Sequence, residues 1–413
     1  MQTYPTPSRA LLLILVALTA LGEISTQLII PSLGAIELFM AASTGSGVLA
    51  LSAFVAAFGL GQLLLGPLSD RIGRRPVLIA GLLVYLLATL WMLFASSMNE
   101  FIAARVLQGL GACAALVLAR AIVRDVWQAQ AAPALALTVI GMLCAIVVSP
   151  IIGGLLTARL GWHAPIVLAI QVGGGALMAV LMLYRESNRN LDPQAGQLRS
   201  LAGNYADLLA ARSFRMFAVV LACTYGAMFA VIAGSSAVYI GLLNLTAAEY
   251  GLTFGAIVSG LIAGAIFTQR TVMRLGPQKI VGIGVTLVAT GALSTLLVYQ
   301  LAGLSVLGLS LPQVLVTLGG GMLLPASVAG AVIPNAQRAG LASGFMGFAQ
   351  MAGATCSGVL LGVLQDGSAW PMLILHGVFA CAAFVAFHLL RPRPPVTAAL
   401  AAQKLPCDLR SVP

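Results

Sequence analysis

The stretch that decides the fold reads Gly66-Pro67-Leu68-Ser69-Asp70-Arg71-Ile72-Gly73-Arg74-Arg75-Pro76-Val77-Leu78. It joins two continuous apolar runs, 46–68 and 76–96, each about 20 residues long, the length that crosses the hydrocarbon of a bilayer as a helix. Glycine at 73 permits a tight turn, and the arginines mark the wet side of the junction. Working outward, the alternation of long apolar run and short polar loop continues along the chain. The pattern predicts twelve helical spans, at 10–34, 46–68, 76–96, 100–122, 133–157, 164–184, 215–242, 250–270, 277–299, 305–331, 340–364 and 370–390. The runs do not alternate apolar and polar residues, so lipid-exposed strands are not expected.

Composition points the same way. Of the 413 residues, 60% are hydrophobic and only 8% are charged, whereas an ordinary soluble domain carries roughly 25% charged residues. The 45 glycines suit close helix packing in lipid. The net charge of +10 could suggest nucleic acid, but the basic residues gather in short loops, which is a topology signal, and no nucleic-acid partner is expected. Five of the six cysteines (Cys113, Cys144, Cys223, Cys356 and Cys381) sit singly in apolar runs; the sixth is Cys407. No metal-ligand spacing occurs among them. The first run follows Arg9 and imitates a signal peptide. It continues past Glu23 to Pro31, so it reads as a retained first span.

The charges orient the chain. Arg9, Arg71, Arg74, Arg75, Arg120, Arg124, Arg270, Arg274, Lys279, Arg338, Arg391, Arg393, Lys404 and Arg410 fall at the termini or in even-numbered loops. Arg185, Arg189, Arg199, Arg212 and Arg215 belong to a polar stretch with Pro193. Odd-numbered loops hold only Arg159 among the basic residues. Both termini are therefore expected in the cytoplasm, with the chain in a bacterial inner membrane. The polar stretch divides the chain into a six-helix half at 1–184, a linker at 185–214, a second half at 215–392 and a tail at 393–413. The loop Arg71-Ile-Gly-Arg-Arg-Pro-Val-Leu-Ile-Ala-Gly81 is echoed by Arg274-Leu-Gly-Pro-Gln-Lys-Ile-Val-Gly-Ile-Gly284 at the equivalent place in the second half. This points to two duplicated halves around a site near the midplane, an all-α architecture used by transporters.

The 66–75 motif resembles the signature of the major facilitator superfamily, G-x-L-x-D-R-x-G-R-R/K. The resemblance covers nearly the whole chain and implies a transporter that rocks between inward-open and outward-open states. In that family Gly66, Asp70, Arg71, Gly73, Arg74 and Arg75 form a conformational gate against span 11. Arg124 is the expected ionic partner of Asp70. A solvated loop with topology-setting arginines is the alternative. Arg105-Val-Leu-Gln108-Gly109 looks like the family's R-x-x-Q-G motif of span 4. Arg105 is then expected to tune a nearby carboxylate during proton transfer, or simply to snorkel to the interface. Ser149-Pro150-Ile-Ile-Gly153-Gly154 in span 5 resembles the end of G-P-x-x-G-G, associated with proton-exchanging exporters; serine replaces the usual glycine at 149.

Glu23 is singular. The eleven acidic residues sort to span ends, loops and tail, except Glu23, which lies about 20 Å along the first helix. A carboxyl deep in a span either hydrogen-bonds structurally when neutral or serves a proton pathway. Removal from water favours its neutral form, which suits loading and release of a proton. Gln27 follows one turn later. Gln27-Leu-Ile-Ile-Pro31 resembles the D-x-Y-L-P segment of the bicyclomycin/chloramphenicol-resistance branch of drug:proton antiporters. Ala119-Arg-Ala-Ile-Val-Arg124-Asp125 and Arg338-Ala-Gly-Leu-Ala-Ser343 extend the likeness. The amide at 27 cannot carry a proton where the branch has aspartate, so Glu23 takes over or coupling differs.

Gln27, Met142, Tyr225, Tyr239, Gln313 and Gln350 are candidate cavity residues; ordinary helix packing is the alternative for each. His163, His376 and His388 are expected at span ends or without close partners. No nucleotide-binding loop, zinc spacing or catalytic constellation occurs in the sequence. The expectation is a non-enzymatic monomer in the lipid bilayer that binds small molecules and protons. It needs no cofactor beyond the proton gradient. The expected activity is export of amphipathic small molecules or drugs by proton antiport. A proton-coupled importer or metabolite facilitator on the same fold is the alternative. A receptor or enzyme on a transporter scaffold would need a signalling domain or catalytic cluster.

Overall fold

The computed structural model describes residues 7–188, 191–192 and 198–391. Arg189, Pro193 and the 393–413 tail, with Arg393, Lys404, Cys407, Asp408 and Arg410, lie outside the described residues. Twelve described helices are long and apolar enough to cross a membrane. They are Arg9–Phe39, Ser46–Ile72, Arg74–Leu93, Met98–Trp127, Pro133–Leu160, His163–Leu183, Arg212–Leu242, Ala247–Leu275, Pro277–Ala302, Val306–Asn335, Ala339–Leu364 and Trp370–Leu390, here spans 1 to 12.

Each expected span is present, but spans 2, 4 and 8 continue about a turn further at their arginine-bearing ends. The reason is visible in span 4. Ala121, Ile122 and Val123 remain buried after Arg120 has interrupted the continuous apolar run. An apolar face at helical spacing is enough to propagate the helix with arginines on its wet side. Asp70, Arg71, Arg120, Arg124 and Asp125 are therefore helix residues, not loop residues. Span 1 is broken by a 3-10 turn, Ile30–Ser32, where Pro31 has no N–H to give to an α-helical ladder. Span 7 ends in a π-turn, Ala237–Leu242.

The repeated loop marks a structural repeat. Gly73 ends span 2 with φ of 114°, and Gly276 ends span 8 with φ of 76°. Only glycine takes that conformation readily. The second glycine of each repeat then admits a neighbouring helix. A Cβ on Gly111 of span 4 would lie 2.6 Å from the Gly81 carbonyl oxygen, and one on Gly319 of span 10 would lie 2.7 Å from that of Gly284. Spans 3 and 4 thus cross as spans 9 and 10 do.

The two halves meet differently at their two ends. Away from the arginines the contact is backbone on backbone. A Cβ on Gly45 of span 2 would lie 2.5 Å from the Gly362 carbonyl of span 11, and one on Gly251 of span 8 would lie 2.5 Å from the Pro150 carbonyl of span 5. Gly154 packs as closely on the Ala247 carbonyl. At the arginine end a cavity of about 380 Å³ separates the halves. The linker helix Leu198–Ala210 spans that end. Its Tyr205 hydroxyl donates to the Leu63 carbonyl at 3.5 Å, its ring lies 5.7 Å from Phe345, and Asp207 pairs with Arg338 at 3.0 Å. One side chain of the linker therefore touches both halves.

Candidate functional site: a central cavity between the halves

Most acidic side chains in the described residues have structural employment. Glu37 accepts from the Gly45 and Gly47 amides at 3.0 and 2.7 Å, satisfying the start of span 2. Glu249 closes a capping box with Thr246 at the start of span 8. Glu100 caps with Ser96 and Ser97, and Asp366 holds a turn at Ser368. Asp70 and Asp125 share Arg74. Glu23 is different: among the described residues its carboxyl makes no hydrogen bond or ion pair, although the interior of the bundle surrounds it. A group so placed is available to a ligand or a proton.

The structure gathers the sequence-derived candidates around it. Glu23 and Gln27 of span 1, Met142 of span 5, Tyr225 of span 7, Gln313 of span 10 and Gln350 of span 11 line one cavity of about 70 Å³. Most of the remaining wall is apolar, including Phe254, Ile257 and Leu261. A narrower space of about 20 Å³ adjoins Glu23 on the side of Phe54, Phe58 and Met351. Tyr225 and Gln350 share this wall, and Tyr225 is close enough to Glu23 to feel its charge. Gln27 Oε1 is buried with no hydrogen-bond partner among the described residues. Sites for drug-sized ligands run to about 300–1,000 Å³. The cavity is therefore contracted and must widen before it can hold such a molecule. Tyr239 is not part of it. That side chain packs against Tyr250 and exchanges a 2.9 Å hydrogen bond with Ser310, because the π-turn directs it into the second half.

Arg105 is buried, 1% exposed, so it does not snorkel. One guanidinium nitrogen donates to the Ser25 carbonyl at 3.1 Å and to Gln108 Oε1 at 2.6 Å, while the guanidinium lies 4.3 Å from the Phe54 ring centroid. Gln108 in turn donates to Thr89 at 2.9 Å, and Ser25 bonds the Tyr85 hydroxyl at 2.8 Å. These contacts tie span 1 to spans 2, 3 and 4. Among the described residues no carboxylate pairs with Arg105. The cation whose field reaches Glu23 is instead Arg120 of span 4. The expected span 100–122 contains Arg120, yet its charge counts there with those of the loops; the structure half-buries it within span 4.

The 66–75 motif forms a compact cluster. Arg74 donates to Asp70 at 2.6 Å, to Asp125 at 3.1 Å and to Ser69 at 2.5 Å. Asp70 is thus paired with Arg74, not with Arg124, whose expected ion pair is absent among the described residues. Arg74 is nearer to both carboxylates because span 3 begins immediately at the Gly73 turn. Arg124, Asp70 and Gly340 of span 11 line the 380 Å³ cavity, and a Cβ on Gly340 would lie 3.9 Å from an Arg124 guanidinium nitrogen. Arg75 reaches the Leu181 carbonyl at 3.2 Å, and Arg71 is exposed. Glu186 was not singled out from sequence, yet it binds the Arg74 and Arg75 amides at 3.0 and 2.9 Å. It thereby caps span 3 and ties the linker to the motif. Beside it, burial pushes the Tyr184 phenol above its ordinary range, and its hydroxyl bonds Ser187 at 2.8 Å. Asp70→Asn is expected to slow transport severalfold with little change in substrate affinity, since Asp70 lies in the gate and not in the central cavity. Stopped-flow turnover alongside equilibrium binding measures both; unchanged turnover removes the gate role.

The span 5 motif sits where the halves close. Pro150 is inside the helix, Gly153 packs on the Leu28 carbonyl of span 1, and Gly154 packs on span 8. His376 corrects an expectation: it is wholly buried in span 12 and hydrogen-bonded to Gln313 and Ala227. Its neighbours come from distant spans, which no local pattern reveals. His163 stacks on Trp162, and His388 is exposed.

Two six-helix halves related by an internal repeat, closed at one end over a central cavity and parted at the other, define a multi-pass membrane transporter. The chain belongs to the Major Facilitator Superfamily, whose family model matches residues 12–332. It is 29% identical over 351 residues to Multidrug resistance protein D of Escherichia coli K12, covering 85% of this chain and 87% of that one. It is 27% identical over 384 residues to a Chloramphenicol resistance protein of Pseudomonas aeruginosa, covering 88% and 87%. A Bicyclomycin resistance protein homolog of Haemophilus influenzae is 24% identical over 344 residues, covering 83% and 86%. Among solved structures, the human organic anion transporter MFSD10 superposes with a TM-score of 0.70 at 16% identity, over 94% of this chain and 100% of that one. That likeness concerns the fold alone.

Proposed function

We propose that this protein is a proton-coupled exporter of amphipathic small molecules, antibiotics among them. The observation that carries the reading is Glu23, an acid with no hydrogen bond or ion pair among the described residues, on the wall of a largely apolar cavity between the halves. The relatives named for multidrug, chloramphenicol and bicyclomycin resistance support export of drugs.

In this reading the arginine end faces the cytoplasm of a bacterial cell and both termini lie inside, in accord with retention of positive charge there. The vestibule then opens inward. Substrate enters past the 66–75 cluster, widens the central cavity and displaces a proton from Glu23. The halves rock, the vestibule closes as Asp70 approaches span 11, and the glycine contacts at the other end part. Protonation of Glu23 from outside then releases the substrate. One proton crossing 100 mV delivers about 2.3 kcal/mol, enough for about a fiftyfold substrate gradient. The protein acts as a monomer, because each chain holds both halves and a complete cavity.

Everted membrane vesicles test the reading. Adding chloramphenicol or another exported compound should release protons from acidified vesicles in step with compound uptake. Uptake without proton movement would identify a facilitator, and proton movement in the opposite sense an importer.

A further inference from the structure

The hydrogen bonds around His376 have only one consistent assignment. Its Nδ1 lies 2.8 Å from the Ala227 carbonyl oxygen. A carbonyl only accepts, so Nδ1 must carry a proton. The ring is wholly buried with no carboxylate partner among the described residues, so it is neutral and holds one proton. Nε2 is therefore bare and can only accept. What faces it, 3.1 Å away, is the Gln313 amide. The amide must present its NH2 group, whichever way round its two atoms are drawn.

A second constraint agrees. Thr295 donates its hydroxyl hydrogen to the Gly291 carbonyl at 2.9 Å, so its oxygen is left to accept from Gln313 at 3.2 Å. Both NH2 hydrogens of Gln313 are then used. Its carbonyl oxygen receives no donor among the described residues, and the side chain lines the central cavity. The first half contains a chemically similar glutamine–threonine pair. Gln108 donates to Thr89 at 2.9 Å, and Thr89 donates to the Tyr85 carbonyl at 2.6 Å. There the glutamine oxygen is occupied by Arg105 at 2.6 Å. Ser310 stands one turn before Gln313 where Arg105 stands before Gln108, and Ser310 bonds Tyr239 instead. The two pairs are alike in chemistry but lie one helical turn out of the register set by Gly111 and Gly319, and the glutamine that lines the central cavity is the one whose oxygen receives no donor among the described residues.

We propose that His376 is a positioning residue that fixes Gln313 as a hydrogen-bond acceptor, and that the cavity selects amphipathic molecules bearing N–H or O–H donors. Gln313 is not the only acceptor. Gln27 Oε1 is buried on the same wall with no hydrogen-bond partner among the described residues, and Glu23 stands one turn from it. Tyr225 and Gln350 line the same cavity. A ligand with donors on an otherwise apolar body satisfies these oxygens. A fully alkylated cation leaves the two amide oxygens unpaired. The inference deepens the export reading and rests on it for its ligand.

Two measurements on the purified full chain test it. Side-chain nitrogen NMR of histidine-labelled protein, with His376 assigned by its loss in His376→Leu, should show the Nδ1–H tautomer. An Nε2–H tautomer overturns the assignment. Fluorescence anisotropy should then show a rhodamine with secondary amino groups binding about tenfold more tightly than its fully N-alkylated counterpart, the scale of one hydrogen bond to a buried acceptor. Gln313→Leu and His376→Leu should bring that ratio close to one, while His376→Gln, which keeps an acceptor toward Gln313, should largely preserve it. A ratio that survives both leucine substitutions contradicts the proposal. Failure of the wild-type protein to bind either dye counts against the export reading, and the tautomer still decides the positioning role.

Discussion

Glu23→Gln is expected to abolish transport driven by a pH gradient while leaving the protein folded. Glutamine matches glutamate in shape and cannot exchange a proton. Glu23 makes no hydrogen bond or ion pair among the described residues, so the substitution leaves no partner stranded. Its effect on stability should stay within the ordinary range for a site without such partners, about 1 kcal/mol or less. The functional loss should be far larger. The roughly fiftyfold gradient that one proton sustains at 100 mV disappears with its carrier. Substrate should still equilibrate across the membrane without accumulating. Thermal denaturation of the purified variant, alongside pH-driven uptake into everted vesicles, separates the two. Normal pH-driven uptake would show that another group carries the proton.

Gly154→Leu is expected to hold the glycine-sealed end open and to cut transport by about fivefold or more. Gly154 packs on the Ala247 carbonyl, and Gly251 of span 8 packs on the Pro150 carbonyl from the other side. A leucine there has no space while spans 5 and 8 remain in contact. Overpacking of this kind costs about 1–3 kcal/mol. Here it falls on one conformational state only, which displaces the equilibrium by about five- to 150-fold. Spin labels at the exposed positions Leu160 and Leu252 should move apart. Those at Ile72 and Met273, near the arginine ends of spans 2 and 8, should approach one another. Unchanged distances with normal turnover would remove the span 5 glycines from the sealing contact.

What was legible in the sequence follows a physical division. Lipid as a solvent leaves a strong local mark, so the spans were readable, and so was the loop that repeats in both halves. Glu23, Gln27, Met142, Tyr225 and Gln350 could be selected one by one, since a polar or adaptable side chain in mid-span needs a reason. Tyr239 satisfied the same criterion and was misassigned, because the π-turn that redirects it has no sequence signature. Arg120 falls inside the expected span 100–122 but counts there as a topology charge, because its approach to Glu23 depends on how spans 1 and 4 pack. Pairings between distant spans were not readable. The choice of Arg74 over Arg124 as the partner of Asp70 depends on how tightly Gly73 turns. The link from His376 to Gln313 depends on spans 10 and 12 converging. Glu186 resembled any loop acid until the start of span 3 was seen to rest on it.

Proton-driven export is tested most directly with the purified protein reconstituted into proteoliposomes with an imposed pH gradient and no other energy source. A compound exported by whole vesicles should accumulate against its concentration gradient in the proton-rich compartment, and the accumulation should collapse when a protonophore is added. Movement that stops at equal concentrations on both sides, with or without the pH gradient, would contradict the account.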